Sequence, residues 1–138
     1  MKTLLLLGCL ALMPPCLAGQ QVQLSQAGNE TRGFWRRQDA AGLVQKSPQL
    51  VIQLPGADPS APVTRPQAEE LLRDYFHQAE EVETVLSDAR DVGGGWGFVE
   101  LKRRYRIRGT QEIREQLLLL SYRANGTGWV LMELRAGQ

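Results

Sequence analysis

Apolar residues recur along this chain with two different periods, and the change from one to the other falls near residue 80. Upstream, Ala68, Leu71, Leu72, Tyr75 and Phe76 are spaced by three and four, the stripe of a helix with one buried face. Thr64 with Gln67 three residues on makes a capping box, and Pro66 sits in the first turn where its missing N–H costs nothing, so a helix is predicted from Arg65 to about Gln78. Downstream the period is two. Val99, Leu101, Tyr105 and Ile107 alternate with Glu100, Lys102, Arg104 and Arg106, which predicts a strand over residues 96–108 with one apolar face. Residues 82–92 and 113–124 read as its neighbours, joined by Gly93-Gly94-Gly95 and broken at Gly109-Thr110. Asn125-Gly126 is a hairpin signal, and residues 129–135 form the last strand with Val130, Met132 and Leu134 on one side.

The segment before this pattern is less regular. Gln20 to Gly28 is Gln-rich and reads as a short helix or flexible lead-in, with the folded domain expected from residue 29 to 138. Asn29 is a candidate N-cap for a helix over residues 30–37 anchored by Phe34 and Trp35, and Asp39 for another over residues 40–45 that turns Leu43 and Val44 inward. Ser47-Pro48 stops that helix. Leu50-Val51-Ile52-Gln53-Leu54 is a strand ended by Pro55-Gly56, and residues 57–63 are a loop. The order helix, helix, strand, helix, then a four-stranded antiparallel meander describes an α+β domain whose sheet buries its apolar face on the helices.

The first eighteen residues stand apart from this domain. Lys2, an apolar run from Leu4 to Met13, Pro14-Pro15 and the small exit Cys16-Leu17-Ala18 have the layout of a cleaved signal peptide. The run is shorter than the roughly 20 residues that a membrane span needs. Lipid attachment at Cys9 or Cys16 fits poorly, since the first leaves only four leucines of apolar run and the second follows two prolines. The expectation is cleavage after Ala18, a secreted or periplasmic product of a bacterium, and no membrane span thereafter.

Cleavage there would remove both cysteines and Lys2, leaving 15 basic residues against 15 acidic ones. No disulfide would then be available, and a net charge near zero argues against nucleic acid as a partner.

The Asp39-Ala40-Ala41-Gly42-Leu43 helix start, the strand from Leu50 to Gly56, the helix from Thr64 to Phe76 and the closing meander ending in Gly128-Trp129-Val130 together resemble a nuclear transport factor 2-like domain of the cystatin-like superfamily. The chain is similar, more narrowly, to an uncharacterised family of short secreted bacterial proteins. The resemblance implies a cone, with the N-terminal helices packed on a curved antiparallel sheet, whose mouth can hold a ligand and whose sheet can form a homodimer. Its superfamily includes ketosteroid isomerase and scytalone dehydratase, enzymes that place an acid or a His on the inner wall.

No catalytic constellation, metal-ligand cluster or cofactor motif stands out in the sequence. His77, the only histidine, ends the helix beside Tyr75 and Phe76, where a general base and a dipole-favoured cap are both natural readings. Lys102 to Arg108 carries five basic residues in seven, which alternation sends mostly to solvent, where Glu80, Glu81 and Glu83 on the preceding strand would meet Arg106 and Arg108. Arg103 differs, because it shares a face with Val99, Leu101, Tyr105 and Ile107. An arginine there needs a partner, either a carboxylate of the protein or an anionic ligand, unless it reaches the rim. Arg103, Tyr105 and His77 are therefore the candidate ligand-binding residues, for a small apolar or anionic ligand. Trp96 and Phe98, between glycines on the opposite face, are a candidate contact surface.

Three functions follow. The first is a non-catalytic exported module that binds a ligand in the cone or a protein on the sheet. The second is an isomerase or dehydratase, which needs Asp88, Glu83 or His77 inside the cavity near Tyr105. The third is a purely structural dimer.

Overall fold

The structure, a computed structural model, describes residues 16–126 and 128–137. The segment read as a signal peptide, residues 1–18, lies outside the described residues apart from Cys16 to Ala18. Helix α1 spans Cys16–Arg36 and α2 spans Ala40–Val44; strand β1 (Gln49–Gln53) and the short β2 (Val63–Thr64) precede helix α3 (Arg65–Phe76). The strands β3 (Ala79–Gly93), β4 (Trp96–Ile107), β5 (Ile113–Asn125) and β6 (Gly128–Ala136) follow. They form one six-stranded sheet in the order β2-β1-β6-β5-β4-β3, antiparallel except where β1 runs parallel to β6.

The local signals do what their chemistry requires. The Gly42 N–H donates to the Asp39 carboxylate at 3.0 Å, which starts α2, and the Thr64 N–H donates to Gln67 Oε1 at 3.1 Å, which starts α3. Gly126 closes the last hairpin with φ +61°, a conformation that favours glycine.

Three expectations change. First, the segment 20–28 belongs to the continuous helix α1, so Asn29 lies inside a helix instead of capping one. The cause is tertiary. Leu24 is fully buried, and the helix lies so close to the sheet that a Cβ on Gly28 would come 2.9 Å from Val99 Cγ1, and one on Gly97 2.8 Å from Leu24. Second, Leu71 is exposed, because the buried stripe of α3 is Ala68, Leu72, Tyr75 and Phe76. Third, β6 buries Trp129, Leu131, Leu134 and Ala136, so Leu134 does not share a side with Val130 and Met132. Ser121 pairs with Glu133 and Tyr122 with Leu131, so Met132 is an extra residue that reverses the alternation.

The core fills the concave side, where Leu50, Ile52, Leu72, Val99, Leu101, Leu118, Leu120 and Leu134 form one buried cluster with Trp35. Side chains cover part of the β3 edge, and Ser60 caps β1 beyond its pairing with β2. Along β3, Gln21 donates to Ala89 O and accepts from the Asp91 N–H, Arg32 donates to Thr84 O and Gln38 to Ala79 O. Beside β1, the Ile52 N–H donates to Ser60 Oγ at 3.0 Å and its carbonyl accepts from the Ser60 N–H at 2.8 Å. Backbone groups engaged in this way are not open to another strand. Among the described residues no helix is long and apolar enough to cross a membrane.

Candidate functional site: a filled cone and an open sheet face

Arg103 projects into the cone, as its place in the alternation of β4 predicts, and it is almost wholly buried. Its partner is Glu81 on β3. Arg103 Nε donates to Glu81 Oε1 at 2.9 Å and Oε2 at 3.3 Å, Nη2 also reaches Oε1, and the two side chains are 1% and 4% exposed. A bulge makes this possible. Glu81 pairs with Tyr105 and Glu83 with Arg104, so the extra residue Val82 lets both Glu81 and Thr84 face inward, where Thr84 Oγ1 donates to Glu81 Oε2 at 2.6 Å.

The remaining side of the guanidinium is equally engaged. Nη1 donates to the Tyr75 hydroxyl and, at 3.0 Å, to Gln116 Oε1. Its carbon lies 3.9 Å from the ring centroid of Tyr105, 5.0 Å from Trp35 and 5.4 Å from Tyr75, so three aromatic rings box the charge. Burial raises the Tyr75 phenol above its ordinary value of 10.0 against the opposing pull of Arg103. The arrangement is a satisfied interior ion pair, and a positive charge without a protein partner is not what Arg103 offers.

The structure brings Arg103 and Tyr105 together but leaves His77 apart, exposed at the C-terminus of α3. Asp88 and Glu83 are also exposed, on the convex face. Glu83 meets Arg104 at 3.6 Å and Glu80 meets Arg106 at 3.5 Å, while Arg108 turns to Gln38 and the Phe76 carbonyl. Among the described residues no group of three or more His, Cys, Asp or Glu is placed to hold a metal ion.

Toward the other end of the cone, a pocket of about 40 Å³ is bordered by Thr31, Ser47, Tyr122 and Leu131. It is an order of magnitude below the roughly 300–1,000 Å³ that small-molecule sites occupy. Its polar groups are already paired, Tyr122 with Thr31 at 2.6 Å and Ser47 with the Leu131 carbonyl at 2.7 Å. Burial pushes the Tyr122 phenol far up.

The convex face is different. Val85, Phe98, Ile113 and Leu119 are each about two-fifths exposed there, between charges of both signs. Adjacent positions across the strands read Val85, Lys102, Leu117, then Asp88, Glu100, Leu119, Arg135, then Arg90, Phe98, Ser121, Glu133. Two grooves of about 420 and 430 Å³ run over this apolar band. Trp96 lies at its margin with the Arg123 guanidinium 5.0 Å from its ring. Sequence reasoning singled out Trp96 and Phe98 here but missed Val85 and Leu119, which only the strand register sets beside them.

Comparison with other proteins bears on the fold. No protein-family profile matches the chain, and no curated protein sequence does. Solved structures do. A ketosteroid isomerase-like protein from Erwinia carotovora atroseptica superposes with a TM-score of 0.68 at 14% identity, covering 85% of this chain and 94% of that one. A Streptomyces avermitilis protein of the NTF2-like family, provisionally named a dehydratase, gives 0.68 at 15% identity over 86% of this chain and 95% of its own. A Thiobacillus denitrificans protein, provisionally named a calcium/calmodulin-dependent protein kinase type II association domain, gives 0.65 at 14% identity over 81% and 91%. At such identities the likeness is one of architecture. The chain has the nuclear transport factor 2-like fold, helices held in the curve of an antiparallel sheet.

Proposed function

We propose that this chain is an exported, non-catalytic association module that pairs with a second copy of itself through the convex face of its sheet. The observation that carries the reading is the contrast between the two faces. The concave side is occupied by the protein's own Arg103, Glu81, Tyr75 and Trp35, and the convex side leaves Val85, Phe98 and Leu119 in water. Proton-transfer chemistry of the isomerase or dehydratase kind needs a free acid or base beside a cavity. Glu81 is held by Arg103 and Thr84, and Asp88, Glu83 and His77 face outward, which favours binding over catalysis.

A second copy suits the face better than an unrelated partner does. Glu83, Asp88, Glu100 and Glu115 share it with Arg90, Lys102, Arg104 and Arg135, and a surface carrying both signs can complement itself across a two-fold axis. The side chains along the β3 edge favour face-to-face contact as the route for sheet association. The Thiobacillus protein's name, an association domain, agrees with such a role. The signal-like segment supports export.

Sedimentation equilibrium of residues 19–138 tests the proposal, with Leu119→Glu and His77→Ala as variants. A dimer for the parent and for His77→Ala, and a monomer for Leu119→Glu with unchanged circular dichroism, is the expected result. A concentration-independent monomer for the parent would overturn it.

A further inference from the structure

We propose that the rim of the cone carries a separate site for a small carboxylate monoanion, built on Arg114, Tyr105 and Gln116. A groove of about 610 Å³ lies there between the loop after β1, with Leu54 and Asp58, and the strand ends that bear Tyr105, Arg114, Glu115 and Gln116. The inference is independent of what the convex face binds.

The buried ion pair prepares the donors of this groove. Gln116 Oε1 accepts from Arg103 Nη1 at 3.0 Å, which fixes the amide so that its Nε2 group keeps two N–H donors unspent on acceptors among the described residues. Tyr105 is locked by the same cation, its ring centroid 3.9 Å from the Arg103 guanidinium carbon, and Arg114 is its direct neighbour across the β4–β5 pairing. Arg114 pairs with Glu112 at 3.2 Å, but the two side chains are 49% and 60% exposed, and an exposed pair of this kind contributes little. Its guanidinium is therefore free to turn to a ligand carboxylate, which its planar fork matches with two parallel hydrogen bonds.

The sign and size of the anion follow from the rest of the lining. Asp58 and Glu115 border the same groove and repel a dianion such as phosphate more strongly than a monoanion. A carboxylate attached to a small neutral or cationic body meets donors on one side and acids on the other. Arg103, the sequence-based candidate, acts here only by positioning Gln116 and Tyr105.

The test is a ¹H–¹⁵N NMR titration of residues 19–138 with sodium acetate and, separately, with inorganic phosphate. Saturable shifts of the Gln116 side-chain amide and the Arg114 Nε–H signals with acetate, at least about tenfold weaker with phosphate, are expected. Arg114→Gln should weaken acetate binding by about tenfold or more while leaving the melting temperature in place, since Arg114 is exposed. Tyr105→Phe should weaken it less. Linear, unsaturating shifts, equal or tighter phosphate binding, or full acetate affinity in Arg114→Gln would each overturn the proposal.

Discussion

Arg103 and Glu81 lie 22 residues apart on adjacent strands and meet inside the cone through three nitrogen-to-oxygen contacts. The pair bears on what the concave side can do, because it fills the interior beside Tyr75, Tyr105 and Trp35 with the protein's own charges. It also sets the first prediction. A buried ion pair adds little over a well-packed apolar replacement, but removing one member strands the other. Arg103→Met should cost about 3–5 kcal/mol by leaving Glu81 unpaired, and adding Glu81→Leu should return most of that loss. Urea unfolding of the single and double variants checks it; equal losses for both would show that packing alone, and not the stranded charge, sets the cost.

Alkaline pH should destabilise the fold through two tyrosines. Burial raises the phenols of Tyr75 and Tyr122 in the folded state, so the protonated form is the one that folding favours. Their contribution is complete below the unfolded value near 10 and is lost as pH rises from there toward the folded values. Unfolding free energy should therefore fall between about pH 9 and 11, and Tyr122→Phe should flatten that fall. A pH-independent free energy over this range would contradict the burial of both phenols.

The N-terminal helix should prove part of the domain core. Leu24 is fully buried under Gly97, so Leu24→Ala is expected to cost about 2–5 kcal/mol, the range for a large-to-small change in a core. Chemical denaturation measures it. A loss below about 0.5 kcal/mol, the scale of a surface change, would mean that the segment before residue 29 is only a lead-in after all.

Gly42 offers a test of close packing at the α1 to α2 junction. A Cβ there would come 2.4 Å from Phe34 Cδ1 and 2.6 Å from Asp39 Oδ2, so Gly42→Ala must move the ring or break the cap. A destabilisation of about 1–3 kcal/mol is expected in thermal unfolding, whereas Gly19→Ala, with nothing near its Cβ, should be neutral.

What was legible in the sequence was whatever rests on a few neighbouring residues. Asp39, the Thr64 to Gln67 box and Asn125-Gly126 each carry their own local chemistry, and the alternation of β4 correctly sent Arg103 inward. Long-range packing was not legible. Segment 20–28 has sparse apolar residues, and Leu24 makes a helix of it only because Gly97 lets the helix touch the sheet. The bulges at Val82 and Met132 each add one residue, and a single added residue exchanges the faces of everything beyond it. That is why Glu81 could not be named as the partner of Arg103, and why Leu134 was grouped with Val130 and Met132.

Single cysteines report on association through the exposed band of the convex face, because residues 19–138 contain none of their own. Leu117→Cys lies in the middle of the band, and Leu71→Cys lies on the outer side of α3. Under mild oxidation, disulfide-linked dimers are expected for Leu117→Cys and monomers for Leu71→Cys at the same concentration. Equal crosslinking of the two, or crosslinking at Leu71→Cys alone, would contradict association through the sheet.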